Sequence, residues 1–333
     1  MAATIVVGGF FGDEGKGKII SYLTRKLDPR IVARGGVGPN AGHTVVINGE
    51  TFKLRMLPSG FSYEKARVLI GPGVLVNPEI FLREVDITKT RQRVGIDFQA
   101  GIIEKQHIER DQKDKHLKEK VGTTGTGCGP ANEDRARRIL KLAKDVEGLK
   151  EFLTDVPGEL HEALDSGENV LIEGTQATFL SLYHGTYPFV TSKDVTAGSL
   201  IADVGIGPKA VDDVIVVFKS FVTRVGEGPL EGELSPEEVL KRGWEERGTV
   251  TGRLRRAAPF NFKLAKRAVK LNSATKVAIT KLDVLFPENK GVTDASKLSK
   301  DAINFLDEIE TQLGVPVWLV GTGPETEATI EYH

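Results

Sequence analysis

The chain has 333 residues, of which 40% are hydrophobic, so it is long enough to bury a substantial core. Its 45 basic and 46 acidic residues give a formal net charge of −1, which argues against a generally basic surface that coats nucleic acid but allows a local anion pocket. The single cysteine, Cys128, excludes an intrachain disulfide framework, and no apolar run approaches the length of a membrane span. We therefore expect a cytoplasmic protein that binds neither nucleic acid nor membrane.

Short apolar runs alternate with amphipathic segments along the chain. The first run predicts a strand over residues 4–7, and a helix is expected over residues 19–27. Residues 43–54 read as a hairpin, because two alternating runs flank the favoured turn Asn48-Gly49. The later elements are strands over 169–173, 214–218, 276–280 and 316–320, and helices over 132–144, 146–166, 259–271 and 297–313.

Strands that alternate with helices predict an α/β fold with a mainly parallel central sheet flanked by helices, plus the small antiparallel hairpin. No Pro- or Ser-rich linker divides the chain, so residues 1–333 are expected to form one domain. The polar stretch over residues 105–120 is interpreted as a solvated helix face or a mobile surface, and no role is assigned to it. Gly-rich segments follow the predicted strands, and an open α/β sheet binds its ligands at those strand ends.

The segment between the first strand and the first helix, residues 12–18, reads GDEGKGK. It follows the phosphate-loop pattern G-x-x-x-x-G-K-[ST] until Ile19 replaces the hydroxyl that would hold Mg²⁺. The glycines let backbone N–H groups approach an anion, and the lysines add positive charge. Asp13 is unfavourable among phosphates unless it binds a divalent cation or acts as a general base on a second substrate. Glu14 gains no comparable role.

A second Gly-rich segment, residues 35–43 (GGVGPNAGH), predicts a backbone that follows a ligand closely, with Asn40 and His43 as its polar tips. A lone histidine is more often structural than catalytic. His43 is nevertheless the only one of six histidines in such a frame, which favours a donor to a developing negative oxygen.

Four further segments carry polar chemistry. Residues 122–130 (GTTGTGCGP) form another Gly/Thr anion-binding candidate, and three arginines follow them. Residues 173–178 (EGTQAT) and 184–192 (HGTYPFVTS) surround a strand end with amides and hydroxyls that suit a polar small molecule. Residues 248–256 (GTVTGRLRR) present arginine forks, which suit a carboxylate or phosphate.

Residues 280–283 (TKLD) end a hydrophobic strand and match [NT]-K-x-D, the guanine-reading element of GTP-binding proteins. The Asp283 carboxylate would accept from guanine N1–H and the 2-amino group, while the Lys281 stem covers the ring. Adenine lacks that donor pair, so the acid selects guanine. Residues 321–324 (GTGP) could close the other side of the base. Together with the phosphate loop, this predicts a P-loop-like GTP-binding architecture.

Eight motifs — GDEGKGK, NAGHT, GTTGxGxGP, EGTQ, HGTYPFVTS, TGRLRR, TKLD and GTGP — cover residues 12–324, and in this order they resemble the adenylosuccinate synthetase family. The resemblance implies a ligase of purine nucleotide biosynthesis, which joins L-aspartate to IMP and converts GTP to GDP and phosphate. It also implies Mg²⁺ as cofactor, small-molecule substrates only, and a cytoplasmic homodimer.

The same resemblance implies catalytic roles. Asp13 would remove the N1 proton of IMP so that the 6-oxygen attacks the γ-phosphorus of GTP, with His43 as general acid. The aspartate amino group would then displace phosphate from the 6-phosphoryl intermediate. Asp13 and the Gly42 carbonyl would bind Mg²⁺. Arg138, or Arg137 if the register slips, would reach the IMP 5′-phosphate in the neighbouring subunit.

Three sets of binding residues also follow from the resemblance. The GTP set is Gly12, Gly15, Lys16, Gly17, Lys18, Gly42, Thr44, Lys281, Leu282, Asp283, Gly321 and Gly323. The IMP set is Asp13, Lys16, Asn40, Ala41, Gly42, His43, Thr124, Arg138, Gln176, Thr191 and Arg253. The aspartate set is Thr249, Val250, Thr251, Arg253 and Arg255.

The chain departs from the family pattern in three ways. Thr126 stands where many relatives carry arginine, Leu254 interrupts their arginine run, and the chain is shorter than the common bacterial form. A rival hypothesis is a regulatory GTPase switch, which needs Ser or Thr at the position of Ile19 and leaves HGTYPFVTS and TGRLRR without use. Asp283 disfavours the third hypothesis, a generic ATP-dependent carboxylate ligase.

Overall fold

The structure is a computed structural model that describes residues 3–248 and 252–333. Within these ranges the strands are β1 (Ala3–Gly8), β2 (Ile31–Arg34), β3 (His43–Ile47), β4 (Glu50–Leu54), β5 (Arg67–Ile70), β6 (Leu75–Val76), β7 (Val94–Asp97), β8 (Gly101–Ile102), β9 (Leu153–Thr154), β10 (Val170–Glu173), β11 (Val211–Lys219), β12 (Phe221–Arg224), β13 (Arg256–Pro259), β14 (Lys276–Thr280), β15 (Val317–Gly321) and β16 (Thr329–Glu331). The α-helices are α1 (Lys16–Leu27), α2 (Pro78–Thr88), α3 (Lys105–Lys113), α4 (Cys128–Ala136), α5 (Val156–Asp165), α6 (Ala197–Val204), α7 (Pro236–Lys241), α8 (Phe262–Asn272), α9 (Leu282–Leu285) and α10 (Lys300–Leu313).

The main sheet has ten strands in the order β16-β15-β14-β11-β1-β10-β2-β5-β7-β9. Neighbouring strands run parallel, except that β15 and β16 are antiparallel. The predicted α/β fold with a mainly parallel sheet is therefore confirmed. Among the described helices, none combines the length and apolarity that crossing a membrane requires.

Strand β1 is central because it is apolar on both faces. Ile5 and Val7 join the apolar cluster that includes residues of α5, α6, α8 and α10. Val6 points the other way and packs in the cluster that contains Ile19 and Leu23 of α1. Each such buried side chain contributes roughly 1.5–3 kcal/mol to folding. The loop that follows β1 is therefore held on a rigid support from both sides.

The predicted hairpin is confirmed with its register. Ile47 pairs with Glu50, and the two turn residues, Asn48 and Gly49, have φ values of 51° and 77°. Positive φ at both central residues is the requirement of a type I′ turn, which Asn-Gly meets at little cost. The hairpin places His43 at the beginning of β3, beside the strand ends of the main sheet.

The helix predicted over residues 132–144 is wrong at both ends, since α4 runs from Cys128 to Ala136. Arg138 has φ 63°, a left-handed conformation that an α-helix cannot continue. The Ile139 N–H donates to the Asp134 carbonyl at 3.0 Å, which closes the helix terminus. Arg138 is therefore set at a turn instead of on a helix face.

The helix predicted over residues 146–166 begins ten residues late, at Val156. The Asp155 carboxylate accepts from the Gly158 N–H at 3.0 Å, and Pro157 occupies the first turn. An N-terminal Asp cap followed by proline fixes a helix start. The apolar residues before it form a 3₁₀ turn and β9 instead. The helices predicted over 259–271 and 297–313 are confirmed with later starts, after the caps Asn261 and Ser299.

Candidate functional site

The strand ends of the main sheet open into one cleft of about 980 Å³. Segments from distant parts of the sequence line it, as the Gly-rich strand ends predict. The predicted site residues in its lining are Gly12, Asp13, Gly15, Lys16, Gly17, Lys18, Asn40, Ala41, Gly42, His43, Thr44, Thr124, Gln176, Thr191, Arg253, Arg255, Lys281 and Gly323. The structure therefore brings members of all three predicted binding sets together.

The remaining predicted residues lie elsewhere. The Leu282 side chain is fully buried, so only its backbone can contact a nucleotide. Asp283 belongs to α9 and Gly321 ends β15; neither lines the cleft, although Lys281 and Gly323, two residues from each, do. Arg138 is exposed and does not line the cleft of its own chain. The predicted aspartate ligands Thr249, Val250 and Thr251 lie outside the described residues.

Glu14 shapes the loop after β1. Its buried carboxylate accepts from the N–H groups of Phe10 (3.2 Å) and Gly12 (2.7 Å) and from the Lys16 ammonium (3.2 Å). A Cβ on Gly8 would lie 2.5 Å from Glu14 Oε2, so the loop needs glycine there. The acid without an assigned role is therefore the internal brace of the phosphate loop, which leaves Asp13 as the loop carboxylate that faces the cleft.

The two loop lysines have different partners. Lys16 donates to Glu14 and to the Gln176 carbonyl and lies in the cleft wall. Lys18 donates to the carbonyls of Gly323 (2.7 Å) and Ala328 (2.6 Å), and burial lowers its pKa to about 8. Lys18 thus ties the phosphate loop to the GTGP turn, and both lysines line the cleft.

His43 is held by a buried carboxylate that the sequence analysis did not assign. His43 Nδ1 contacts Glu173 Oε1, and Glu173 also accepts from the Ser59 N–H (2.5 Å) and hydroxyl (2.6 Å). Burial lowers the pKa of His43. Burial alone would raise the pKa of Glu173, but the nearby His43, Arg34 and Ser59 outweigh it and hold the pKa of Glu173 below its usual value. Nδ1 therefore carries the proton towards an ionised carboxylate.

The second ring nitrogen of His43 is turned to the cleft. His43 Nε2 is buried and has no hydrogen-bond partner among the described residues. Asn40 Oδ1 and Gln176 Nε2 share this condition, although Asn40 Nδ2 donates to the Thr191 hydroxyl at 3.1 Å. Buried polar atoms are normally paired, so three unpaired atoms in one cleft wall suit a polar ligand.

Asp13 is paired with Arg255. The Arg255 guanidinium contacts Asp13 Oδ2, and Arg255 also donates to the Thr223 hydroxyl at 3.5 Å. Asp13 has φ 57°, which turns its side chain away from the backbone path of the loop. Burial lowers the pKa of Arg255 to about 10, still far above neutral pH, so the side chain is a cation. One predicted aspartate ligand is thus in direct contact with the predicted base.

The polar stretch over residues 105–120 has a structural role after all. Within α3, His107 and Asp111 are buried, one turn apart. Asp111 accepts from the Thr123 hydroxyl and the Gly127 N–H, both at 2.8 Å. It therefore shapes the Gly/Thr loop that carries Thr124. A four-residue spacing between His and Asp was the available signal, because it places both on one helix face.

The TKLD segment, residues 280–283, is attached to the loop that follows β1. The Thr280 hydroxyl donates to the Glu14 carbonyl at 2.6 Å. Lys281 has φ 62°, which turns it into the cleft, and its carbonyl accepts from the Ser220 hydroxyl at 2.8 Å. Asp283 Oδ1 is buried without a hydrogen-bond partner among the described residues. A carboxylate oxygen in this condition is suited to paired N–H donors.

The groups in the cleft that could hold a metal ion are oxygen donors. Across residues 3–248 and 252–333 no cluster of three or more His, Cys, Asp or Glu side chains is placed to hold a metal ion. The Asp13 carboxylate and the Gly42 carbonyl, however, both belong to the cleft wall. Such hard oxygen donors suit Mg²⁺, which is commonly held by one or two carboxylates together with substrate phosphates.

Comparison with known proteins gives one family. The adenylosuccinate synthetase family model matches residues 5–146 and 138–290. The chain is 58% identical to the adenylosuccinate synthetase of Methanocaldococcus jannaschii, over 99% of this chain and 97% of the relative. It is 54% identical to that of Archaeoglobus fulgidus, over 99% and 98% of the two chains.

Two solved structures have the same fold. The fully ligated adenylosuccinate synthetase from Plasmodium falciparum superposes with a TM-score of 0.91 at 26% identity, over 99% of both chains. The succinoaminodeoxyadenylate synthetase of cyanophage S-2L, bound to dGMP and dATP, gives a TM-score of 0.81 at 25% identity, over 99% of this chain and 95% of that chain.

Proposed function

The chain belongs to the adenylosuccinate synthetase family, and we propose that its cleft joins L-aspartate to IMP while GTP is converted to GDP and phosphate. The activity is a ligase step of purine nucleotide biosynthesis. The observation that carries this proposal is the contact between Asp13 of the phosphate loop and Arg255 of the arginine segment, within a cleft that His43 and Lys281 also line. A base, an acid and an anion-binding cation thus share one space.

The site supports a two-step reaction. Asp13 accepts the N1 proton of IMP, and the 6-oxygen then attacks the γ-phosphorus of GTP, whose bond to the β–γ bridging oxygen breaks so that GDP leaves. His43 acts as general acid in its imidazolium form: Nδ1–H donates to Glu173, which orients the ring and compensates its charge, and Nε2–H serves the transferring phosphoryl group. In the second step the amino group of L-aspartate displaces phosphate from the 6-phosphoryl intermediate. Positioning and charge neutralisation dominate phosphoryl transfer, so the cluster of cations is as important as the proton donors.

The geometry of the cleft wall supports a set of binding roles. Backbone N–H groups of the phosphate loop and Lys16 would hold the GTP phosphates, and the TKLD and GTGP segments the guanine ring. The unpaired atoms of Asn40 and Gln176, with Thr124 and Thr191, suit IMP. Arg253 and Arg255 suit the carboxylates of aspartate. We also propose that residues 1–333 act as one synthetase domain in the cytoplasm.

Magnesium would be held by Asp13 and the Gly42 carbonyl, together with phosphate oxygens. This assignment is consistent with Ile19, which is fully buried and offers no hydroxyl at the position where phosphate loops usually bind the ion. When bound, Mg²⁺ would neutralise negative charge on the transferring phosphates.

A product assay tests the function. Purified protein should form adenylosuccinate only when IMP, L-aspartate, GTP and Mg²⁺ are all present, with one GDP and one phosphate per product. GTP hydrolysis at a comparable rate without IMP and aspartate would instead support a GTPase switch. ATP in place of GTP tests the third hypothesis in the same assay.

Asp283→Asn should relax the choice of nucleotide. The variant keeps the size of the side chain but replaces a carboxylate oxygen by an amide donor, which would face the guanine N–H groups. Loss of a matched hydrogen-bond pair to a charged group costs roughly 1.5–3 kcal/mol, so kcat/KM for GTP should fall about 10- to 100-fold while that for ATP changes little. The exposed neighbour Lys290 provides the control variant Lys290→Gln. An unchanged GTP/ATP ratio in Asp283→Asn would remove this residue from the guanine site.

A homodimer with shared sites is supported by the position of Arg138. This arginine is exposed outside its own cleft, and the adjacent Ile139 is 59% exposed although it is apolar. We propose that this turn packs against a second copy, where Arg138 contacts the 5′-phosphate of IMP. An exposed apolar side chain beside a cation suits such an interface.

Subunit mixing tests the shared site. Arg138→Ala and Asp13→Asn should each be nearly inactive, because each lacks one half of every site. In a 1:1 mixture, heterodimers contain one site with both residues intact, so about a quarter of parental activity should return. Arg137→Ala mixed in the same way is the matched control. Verified heterodimers without any recovery would mean that Arg138 acts within its own chain or not at all.

A further inference from the structure

A buried polar network, which the proposed mechanism does not use, connects the guanine-reading segment with the arginine segment. Lys219, at the end of β11, is fully buried, and its ammonium donates to Glu246 Oε2 at 2.5 Å and to the Thr223 hydroxyl. The other carboxylate oxygen, Glu246 Oε1, lies 3.5 Å from the Lys281 ammonium. Arg255 reaches the same Thr223 hydroxyl. Glu246 thus lies between the lysine assigned to guanine and the arginine that contacts Asp13.

Glu246 also anchors the arginine segment through its backbone. The Arg255 N–H donates to the Glu246 carbonyl at 2.9 Å, and the next residues, Arg247 and Leu254, form a β-bridge. Gly248 N–H donates to the Arg253 carbonyl at 2.9 Å. Residues 246–248 and 252–255 therefore pair with each other, with Glu246 and Arg255 at the base of the pair. A shift of this residue would move Arg253 and Arg255 with it.

The charges of the network leave one contact incomplete. Glu246 faces two cations, Lys219 and Lys281. Burial alone would raise the pKa of Glu246, but these two cations outweigh it and lower the pKa. Burial lowers the pKa of Lys219, and the neighbouring Glu246 carboxylate only partly offsets this lowering. Glu246 Oε1 is buried without a hydrogen bond among the described residues, and the Lys281 ammonium lies 3.5 Å away, at the outer limit of bonding distance. A closer approach of Lys281 would complete this contact.

We propose that Glu246 is a positioning residue that couples nucleotide binding to aspartate binding. Packing of the Lys281 stem on the guanine ring fixes its ammonium against Glu246 Oε1, and Glu246 in turn fixes the base of the loop that carries Arg253 and Arg255. GTP therefore tightens aspartate binding, and by linkage aspartate tightens GTP binding by the same factor. This inference rests on the proposed function, since it uses the substrates assigned there.

Tryptophan fluorescence gives a binding readout at this position. Trp244 is buried two residues from Glu246 and stacks on Phe221 with a ring distance of 4.5 Å. The sequence contains one other tryptophan, at position 318, so Trp318→Phe makes Trp244 the sole reporter. Aspartate is titrated into this parent chain with saturating IMP and Mg²⁺, with and without guanosine 5′-(β,γ-imido)triphosphate, which prevents turnover.

The variant Glu246→Gln keeps the shape of the side chain and removes its charge. In the parent the nucleotide analogue should lower the Kd of aspartate at least about fivefold, the lower end of usual coupling. In Glu246→Gln the ratio of the aspartate Kd without the analogue to that with it should fall below about twofold, a near-complete loss of the coupling. The exposed neighbour gives the matched control Glu245→Gln, which should keep the parental ratio. Equal ratios in parent and Glu246→Gln, or a parent without coupling, would overturn the proposal.

Loss of the carboxylate leaves Lys219 as an uncompensated buried cation, which can unfold the chain. The double variant Lys219→Met with Glu246→Gln removes both charges, an exchange that is often neutral or stabilising. It should melt near the parental temperature and still lack the coupling. A folded double variant with parental coupling would refute the role of Glu246.

Adenylosuccinate formation by the parent is measured first. Its absence would reject the proposed function, whereas an active parent with unchanged coupling in the variants rejects only this inference.

Discussion

Replacing Asp13 with asparagine should lower kcat for adenylosuccinate formation by about 10³-fold, within the usual range for a lost general acid or base. The loss arises because the amide can neither accept the N1 proton of IMP nor supply an anionic oxygen to Mg²⁺. The measurement is product formation at saturating IMP, aspartate and GTP, followed across a Mg²⁺ titration. The apparent affinity for Mg²⁺ should weaken in the same variant.

The fold should survive this change, because asparagine keeps the size of the side chain and an oxygen towards Arg255. Some stability should still be lost, since Arg255 is buried and Asp13 is its carboxylate partner. Glu227 is the matched control: it lines the same cleft, is exposed and has no assigned role, so Glu227→Gln should retain the parental rate. A folded Asp13→Asn protein with near-parental turnover would exclude Asp13 as the base.

The contact between Asp13 and Arg255 also explains why the loop can contain two acids. Glu14 is turned inward and uses its oxygens to fix two backbone N–H groups, so it presents no charge to the substrate space. Asp13 is turned outward, and its charge is compensated by an arginine from another segment. The two neighbouring carboxylates are thus separated: Glu14 folds the loop, and Asp13 faces the cleft, where we propose that it acts as the base.

Much of the site could be predicted because its chemistry lies in short continuous motifs. The hairpin turn Asn48-Gly49 and the strand over residues 276–280 are set by local preferences, and the structure has both where expected. The strands β2, β5 and β7 were missed. Each has only four residues, and the pattern alone does not separate a buried strand this short from a segment of helix or loop, although β10, which is equally short, was predicted.

Contacts between distant residues could not be predicted from the sequence. His43 and Glu173 are 130 residues apart, and Lys281 and Glu246 are 35 apart, so no spacing rule relates them. A hint was available only for Glu173. It ends an apolar strand, and a carboxylate at the end of a buried parallel strand needs a partner at that edge of the sheet. Which partner it has depends on the strand order, where β10 lies between β1 and β2.

His43→Asn should lower kcat by about 10²- to 10³-fold with little change in the KM for GTP or IMP. The asparagine amide occupies the position of Nδ1 and can still donate to Glu173, but it offers nothing at the position of Nε2. The transferring phosphoryl group therefore loses its proton donor while the buried carboxylate keeps its partner. His184, in the HGTYPFVTS motif, gives the control His184→Asn, which should stay within about threefold of the parent, well below that range.

The pH profile separates acid catalysis from mere support of the cleft. The Glu173 charge raises the pKa of His43, against the larger lowering that burial causes. Glu173→Gln removes the raising contribution, so His43 loses its proton at lower pH than in the parent. The decline of kcat on the alkaline side should therefore begin at lower pH in Glu173→Gln and be absent from the residual rate of His43→Asn. An alkaline limb at the same pH in all three proteins would show that His43 is not the acid.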